Sequence, residues 1–331
     1  MTLASTDRPL SEVYDLAMLD LDGVVYVGAE AVPGAVDSLV HARRAGMRLA
    51  YITNNASRTA AEVASHLREL TIPDVTDEDV VTSAQAVAHL VADAVPPGSR
   101  VLLVGGEGLR QPLEERGLRC VASLDDDPRA VVQGFHPDVS WTQLAEAAYA
   151  IAAGVPWFAS NTDLTIPTAR GVAPGNGSLV QAVSNATGAR PTVAGKPEAA
   201  LFNETIERFG GRRPLMVGDR LDTDIDGAIG VGIDTLAVFT GVNTLQDVID
   251  APAGHRPHYV SHDLAGLNEV HPAVVIDGNT ARCGESTATV TGGMLSIEGL
   301  DTPSIRAAVT LAWQLADQGG ALVHLDGTMK S

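Results

Sequence analysis

Two carboxylates one residue apart close an apolar run. Leu16-Ala17-Met18-Leu19 leads directly into Asp20-Leu21-Asp22-Gly23. Residues i and i+2 of an extended chain point to one face, so the two acids can share one small space if the extended form persists. Like charges that close destabilise each other unless a cation or a shared proton relieves them. The pair therefore implies a divalent metal, proton chemistry, or both. Three further clusters carry polar chemistry at element boundaries. Tyr51-Ile52-Thr53-Asn54-Asn55 ends an apolar stretch in a hydroxyl and two amides. Gly195-Lys196-Pro197 sets a lysine at a helix start. Gly218-Asp219-Arg220-Leu221-Asp222-Thr223-Asp224 opens a buried run into an acidic loop. Each alone reads as a turn, a helix cap or a solvated loop. Together they supply what a phosphate needs: hard carboxylate oxygens for Mg²⁺, and a lysine, a hydroxyl and backbone N–H groups for the phosphoryl oxygens.

The elements that must position these residues alternate along the chain. Leu16–Asp20 and Arg48–Thr53 read as strands, and Gly34–Gly46 and Thr59–Leu70 as helices. The same alternation resumes after Lys196, with helix Pro197–Phe209, strand Leu215–Gly218, helix Thr223–Val231 and strand Asp234–Phe239. It predicts a doubly wound parallel sheet with helices on both faces, and such sheets place their chemistry at the carboxyl ends of the strands. Thr53 and Lys196 lie 143 positions apart. One βα repeat needs only about 30 residues, so a domain is inserted between them. Its elements read as helix Ser83–Ala94, strand Val101–Val104, helix Gly108–Gly117, strand Ala130–Gln133, helix Trp141–Ala153, strand Trp157–Ser160 and helix Asn176–Thr187. A third piece begins near His271, with strands at Ala273–Ile276, Thr287–Val290 and Met294–Ile297, helix Pro303–Gln318 and strand Ala321–Leu325. The expected division is 1–84 and 191–270 for the core, 85–190 for the inserted α/β domain and 271–331 for a small α+β extension.

The four clusters, in this order, resemble the haloacid dehalogenase-like superfamily of phosphatases. The closer match is the subfamily of 4-nitrophenyl-, phosphoglycolate and glycerol-3-phosphate phosphatases and NagD-type nucleotide phosphatases. The resemblance spans roughly Leu16 to Leu267. It implies a Rossmann-like core with an inserted α/β cap, Mg²⁺ as cofactor and a small phosphate ester as substrate. Asp20 is then the nucleophile that takes the phosphoryl group, and Asp22 the acid that protonates the leaving alkoxide. Thr53 and Lys196 neutralise the phosphoryl oxygens, with Asn54 and Asn55 beside them in the substrate-binding set. Asp20, the Asp22 main-chain carbonyl and Asp219 hold the metal, with Asp224 as a ligand or as an acceptor for a metal-bound water. In the cap, Ser160-Asn161-Thr162-Asp163 resembles the loop that reaches substrate, so Asn161 and Asp163 are expected on a hydroxylated leaving group. Gly134-Phe135-His136-Pro137-Asp138 departs from the subfamily, where an acid is expected at position 136. The domain arrangement resembles actinobacterial glycerol-3-phosphate phosphatases, which makes glycerol 3-phosphate the leading substrate. Phosphoglycolate and nucleotide monophosphates are the alternatives.

Composition narrows the field. The net charge is −19, from 22 basic and 41 acidic residues, which argues against nucleic acid or an anionic membrane as a partner. It leaves a small anionic substrate open, since one bound cation reverses the local field. Cys120 and Cys283 are far apart in sequence and show no metal-ligand spacing, which points to a reducing compartment. Residues 1–15 lack the apolar core of a signal peptide. No apolar run approaches the roughly 18–20 residues of a membrane span. The expected location is the cytoplasm. The extension resembles a fragment of an acetyltransferase-like fold but lacks a convincing pyrophosphate loop, so it reads as a structural or homo-oligomerisation element. The main rival in another class is a non-catalytic phospho-acceptor or phosphate-binding regulator; such receiver domains use Asp, Thr and Lys around Mg²⁺ but have no inserted cap. A dehalogenase on the same fold is the other rival, and Asp22 argues against it.

Overall fold

The computed structural model describes residues 2–168, 170–320 and 323–326. The chain forms two compact units, one of residues 1–50, 70–73 and 209–331, the other of 51–69 and 74–208.

In the first unit, strand Leu16–Leu19 is buried at all four positions, as expected for a strand covered on both faces. It pairs in parallel with Pro214–Gly218, which pairs with Asp234–Val238, which pairs with Tyr259–Ser261. The last of these strands has no counterpart in the sequence reading. The C-terminal residues add a sheet in the order Val275–Asp277, Thr280–Cys283, Ser286–Thr291, Met294–Ile297 and His324–Leu325, antiparallel except for the final pair. Helix Thr302–Asp317 covers one face of it. Period-2 alternation decides which side is covered: Ala281, Cys283, Ala288, Val290, Leu295 and Ile297 are buried, while Arg282, Thr289, Thr291 and Ser296 are exposed. This sheet and helix share one hydrophobic cluster with Val248, Ile249 and Val260. The Trp313 indole N–H donates to the Val248 carbonyl at 2.9 Å, so the extension packs into this unit. Of the expected strand Ala321–Leu325, Ala321 and Leu322 lie outside the described residues.

In the second unit, the end of strand Arg48–Thr53 pairs in parallel with Val80–Thr82, Thr53 opposite Thr82. A five-stranded parallel sheet follows, in the order Thr192–Val193, Trp157–Ala159, Ala130–Gln133, Arg100–Val104 and Arg119–Val121. Helices Trp141–Ala152 and Asn176–Thr187 bury Ala147, Ile151, Val180 and Val183 against Leu102, Val104 and Val131. Thr165–Thr168 and Gly171–Pro174 pair as an antiparallel ribbon, where the sequence reading has only a loop. Its residues are mostly exposed, so no burial alternation marks it.

Candidate active site

Strand register brings the acids together. Leu19 pairs with Val217, so Asp20 and Gly218 leave the sheet side by side. The Asp20 N–H still donates to the Val217 carbonyl at 3.0 Å. One ligand oxygen from each of Asp20, Asp219 and Asp224 lies within 4.8 Å of the others. Asp219 and Asp224 are buried, and Asp20 is half-buried. Three carboxylates this close repel one another, the more so out of water. A hard divalent cation relieves that repulsion, and an all-oxygen donor set suits Mg²⁺ or Ca²⁺. The residues present therefore fit such an ion.

Two glycines and a loop clear and fix the Asp219 carboxylate. Gly23 sits at φ +87°, and a Cβ there would lie 2.5 Å from Asp219 Oδ2. A Cβ at Gly241 would also run into that oxygen. The Val242 N–H donates to Asp219 Oδ2 at 2.6 Å, and the Asn243 N–H to the Asp219 carbonyl at 3.1 Å. The Thr240 hydroxyl donates to the Gly23 carbonyl at 2.6 Å. Thr240–Asn243 is absent from the sequence reading. Its signal was available: it follows Asp234–Val238, the strand parallel to Pro214–Gly218, and so lies where such sheets put functional loops.

Asp224 reaches the cluster through a wide turn. The expected helix Thr223–Val231 is instead a π-turn over Leu221–Ile225, followed by a short helix, Asp226–Gly230. The Ile225 N–H reaches back five residues to the Arg220 carbonyl at 3.2 Å. Such turns insert a residue into the helical count and often mark functional sites. Here the extra residue folds Asp224 over the strand end. Its Oδ2 accepts from the Arg220 N–H at 3.2 Å, and a Cβ at Gly218 would collide with its side chain. Asp222 instead holds Arg220 in a fork, at 3.1 Å to Nε and 2.8 Å to Nη2, and faces solvent.

The extended form does not persist through Asp22. After Asp20 the chain turns, with the Val25 N–H on the Leu21 carbonyl at 2.9 Å and the Gly23 N–H on the Tyr26 carbonyl at 2.8 Å. Asp22 is exposed. The two acids are thus unequal in environment, which the i, i+2 pattern alone does not reveal.

In the second unit the polar residues form a hydrogen-bonded group around Asn54. Thr53 is buried, and its Oγ1 accepts from the Asn55 N–H at 3.1 Å. Asn54 Oδ1 accepts from the Lys196 N–H at 2.8 Å, and Asn54 Nδ2 donates to the Lys196 carbonyl at 3.0 Å. The same Nδ2 lies 3.3 and 3.2 Å from the two oxygens of Asp163. The Asn54 carbonyl accepts from Ser83 Oγ and from Asn161 Nδ2, both at 2.6 Å. Asn176 Nδ2 donates to the Asn161 carbonyl at 2.7 Å. Gly195 is required here, since a Cβ would lie 2.6 Å from Asn54 Oδ1. Asn55 is exposed and turns its Oδ1 to the Ser57 N–H at 2.8 Å. His136 packs its ring on Gly106 and accepts from the Asp138 N–H at 3.3 Å, a structural use. Ser83 and Asn176, unnoticed in sequence, are clamps of this group.

Comparison with known proteins decides the family. Residues 17–119 match the model described as haloacid dehalogenase-like hydrolase, and residues 193–267 match a second described as HAD-hydrolase-like. The chain is 49% identical over 262 residues to the D-glycerol 3-phosphate phosphatase of Mycobacterium tuberculosis, covering 79% of this chain and 73% of that protein. The chain belongs to the haloacid dehalogenase-like hydrolases. The acid sugar phosphatase of Staphylococcus aureus is 39% identical over 237 residues, 71% of this chain and 90% of that one. Among solved structures, the M. tuberculosis glycerol phosphate phosphatase in complex with magnesium matches with a TM-score of 0.84 and 41% identity, over 98% of this chain and 96% of that one. The 4-nitrophenylphosphatase of Thermotoga maritima matches with a TM-score of 0.72 and 29% identity, over 78% of this chain and 98% of that one. The C-terminal extension therefore has a counterpart in the mycobacterial structure, whose match is too extensive to leave it out. The doubly wound α/β core expected from the alternating elements is that of the family. Among the described residues no helix is long and apolar enough to cross a membrane.

Proposed function

We propose that this hydrolase is a magnesium-dependent phosphatase that cleaves glycerol 3-phosphate through an aspartyl-phosphate intermediate. The observation that carries the reading is the convergence of the Asp20, Asp219 and Asp224 carboxylates within 4.8 Å, a donor set suited to a hard cation. Asp20, Asp219 and Asp224 hold the ion, with the Asp22 main-chain carbonyl as a further oxygen. Bound Mg²⁺ supplies positive charge against the phosphoryl oxygens. Asp20 attacks phosphorus and carries the phosphoryl group. Asp22, which is exposed to solvent, protonates the departing alkoxide and then takes a proton from the attacking water. Thr53 donates its hydroxyl and Lys196 its charge to the phosphoryl oxygens, the main catalytic demand in phosphoryl transfer. Residues 1–84 and 191–270 act as the catalytic core, 85–190 as the cap and 271–331 as a structural extension of the core. The protein works in the cytoplasm, consistent with its two unpaired cysteines.

The choice of ester is supported by similarity along nearly the whole chain to the mycobacterial glycerol phosphate phosphatase. It is tested by phosphate release from glycerol 3-phosphate, 2-phosphoglycolate, a hexose phosphate and a nucleoside monophosphate, each with Mg²⁺ and with EDTA. The highest kcat/KM is expected for glycerol 3-phosphate and none with EDTA. A hexose phosphate ranked first would move the substrate to the sugar phosphates. No release from any ester would overturn the reading.

A further inference from the structure

Asn54 has little capacity left for a ligand. An amide side chain offers two N–H donors and one oxygen acceptor. Its oxygen is engaged by the Lys196 N–H at 2.8 Å, one donor by the Lys196 carbonyl at 3.0 Å, and the other faces the Asp163 carboxylate at 3.2–3.3 Å. The two bonds to Lys196 copy one rung of a β-ladder, gripping both the N–H and the C=O of one residue. That grip fixes the backbone from which the lysine side chain projects. Gly195 lies so close to Asn54 Oδ1 that a Cβ would not fit, so the chain is shaped to let the amide in.

A carboxamide has two orientations that differ by exchanging oxygen and nitrogen. Only one serves Lys196, because the flipped amide would set NH₂ against the Lys196 N–H and oxygen against its carbonyl. Asp163 bears on that choice. An ionised carboxylate only accepts, so it favours the orientation with NH₂ towards itself. Asp163 is itself held: its N–H donates to Asn161 Oδ1 at 3.2 Å, its carbonyl accepts from the Gly177 N–H at 2.8 Å, and Asn161 Nδ2 donates to the Asn54 carbonyl at 2.6 Å. The loop after Trp157–Ala159 is thereby tied to the turn after Thr53 at two points.

We propose that Asp163 is a positioning residue: it fixes the Asn54 amide in the orientation that grips the Lys196 backbone, and through it sets where the phosphate-binding lysine stands. The inference rests on the phosphatase reading above. It differs from a direct contact between Asp163 and the leaving group, because positioning acts on every ester alike.

The experiment compares glycerol 3-phosphate with 4-nitrophenyl phosphate, whose leaving group has no aliphatic hydroxyl, in wild type, D163L, D163N, N54L and the D163L/N54L double variant. Thermal unfolding checks that each variant is folded. Misplacement of a catalytic group by about 1 Å costs up to about 100-fold in rate. Positioning therefore gives a kcat loss between about tenfold and 100-fold in D163L, by the same factor on both esters. D163N, which keeps an acceptor oxygen, recovers most of that loss. D163L adds nothing further once N54L has removed the amide, the non-additivity expected of residues acting as one unit. A loss confined to the KM for glycerol 3-phosphate, with 4-nitrophenyl phosphate unaffected, would overturn the proposal and make Asp163 a leaving-group contact. Additive losses in the double variant would also overturn it. A wild type inactive on both esters would instead remove the phosphatase reading itself.

Discussion

Replacing Gly23 with alanine should disable the acid cluster although none of its acidic residues is substituted. Gly23 sits at φ +87°, and its added Cβ would stand 2.5 Å from Asp219 Oδ2, where ordinary contact begins at 3.4 Å. The carboxylate must retreat by roughly 1 Å, and its 2.6 Å bond from the Val242 N–H must lengthen or break. Left-handed backbone at a residue with a Cβ adds about 1–2 kcal/mol of strain. A 1 Å misplacement costs about 100-fold in rate, and disturbing the support of a metal ligand typically weakens metal binding about 10- to 100-fold. G23A should therefore lower kcat by about two orders of magnitude and raise the Mg²⁺ concentration for half-maximal activity about tenfold or more. The assay is phosphate release against Mg²⁺ concentration, beside a thermal melt to separate the lost stability from the lost activity. A folded G23A enzyme with wild-type kcat and wild-type Mg²⁺ dependence would refute the claim that Asp219 is a ligand held in place by this close approach.

Two further perturbations follow from the same structure. Asp22→Asn should cut turnover of glycerol 3-phosphate by about 10²–10⁴-fold, the usual worth of a general acid; it should cost 4-nitrophenyl phosphate much less, because that phenolate leaves without a proton. Equal losses on the two esters would remove Asp22 from the proton-transfer role. Acid should weaken the fold through His271, whose pKa is driven down from 6.5 to about 4 by burial, with the nearby charge of Arg306 adding to the effect. Its Nε2–H donates to the Gly266 carbonyl at 2.8 Å, and Arg306 Nη1 lies 3.4 Å from Nδ1. The folded ring stays neutral where the unfolded one takes a proton. Stability is then full above about pH 6.5 and falls by about 3 kcal/mol as pH drops to about 4. Urea unfolding at pH 7 and pH 4 should show a fall of that size in wild type beyond the fall in His271→Gln; identical pH slopes in the two proteins would contradict it.

How far the sequence reveals this molecule depends on whether a feature is local. Helices Ser83–Ala94 and Asn176–Thr187 and strands Ala130–Gln133 and Met294–Ile297 carry their own caps, periodicity or buried apolar runs, and the structure reproduces their expected bounds. Asp20 and Asp219 could be paired in advance because each follows an apolar run that reads as a strand of one parallel sheet. Strand Thr280–Cys283 has no such signal, since Ala281 and Cys283 of Thr-Ala-Arg-Cys are buried in a cluster built with helix Thr302–Asp317 and the neighbouring strands. The path of Asp224 is hidden for another reason: a π-turn breaks the helical period on which a sequence reading relies. The commitment of the Asn54 side chain is likewise tertiary, with partners 109 and 142 positions away. The residue type suggests a contact to substrate, and the fold uses it to hold Lys196. Arg306 is buried in the helix of the extension, where its Nη2 donates to the carbonyls of Pro272 at 2.8 Å and Ala4 at 2.7 Å. A period-based reading cannot tell it from a surface arginine.

Phosphate release from glycerol 3-phosphate in wild type and Asp20→Asn, each with Mg²⁺ and with EDTA, tests whether Asp20 is the nucleophile of a magnesium-dependent phosphatase. Turnover is expected in wild type with Mg²⁺ only, and none in Asp20→Asn under either condition while that variant remains folded. Undiminished turnover in folded Asp20→Asn would contradict it.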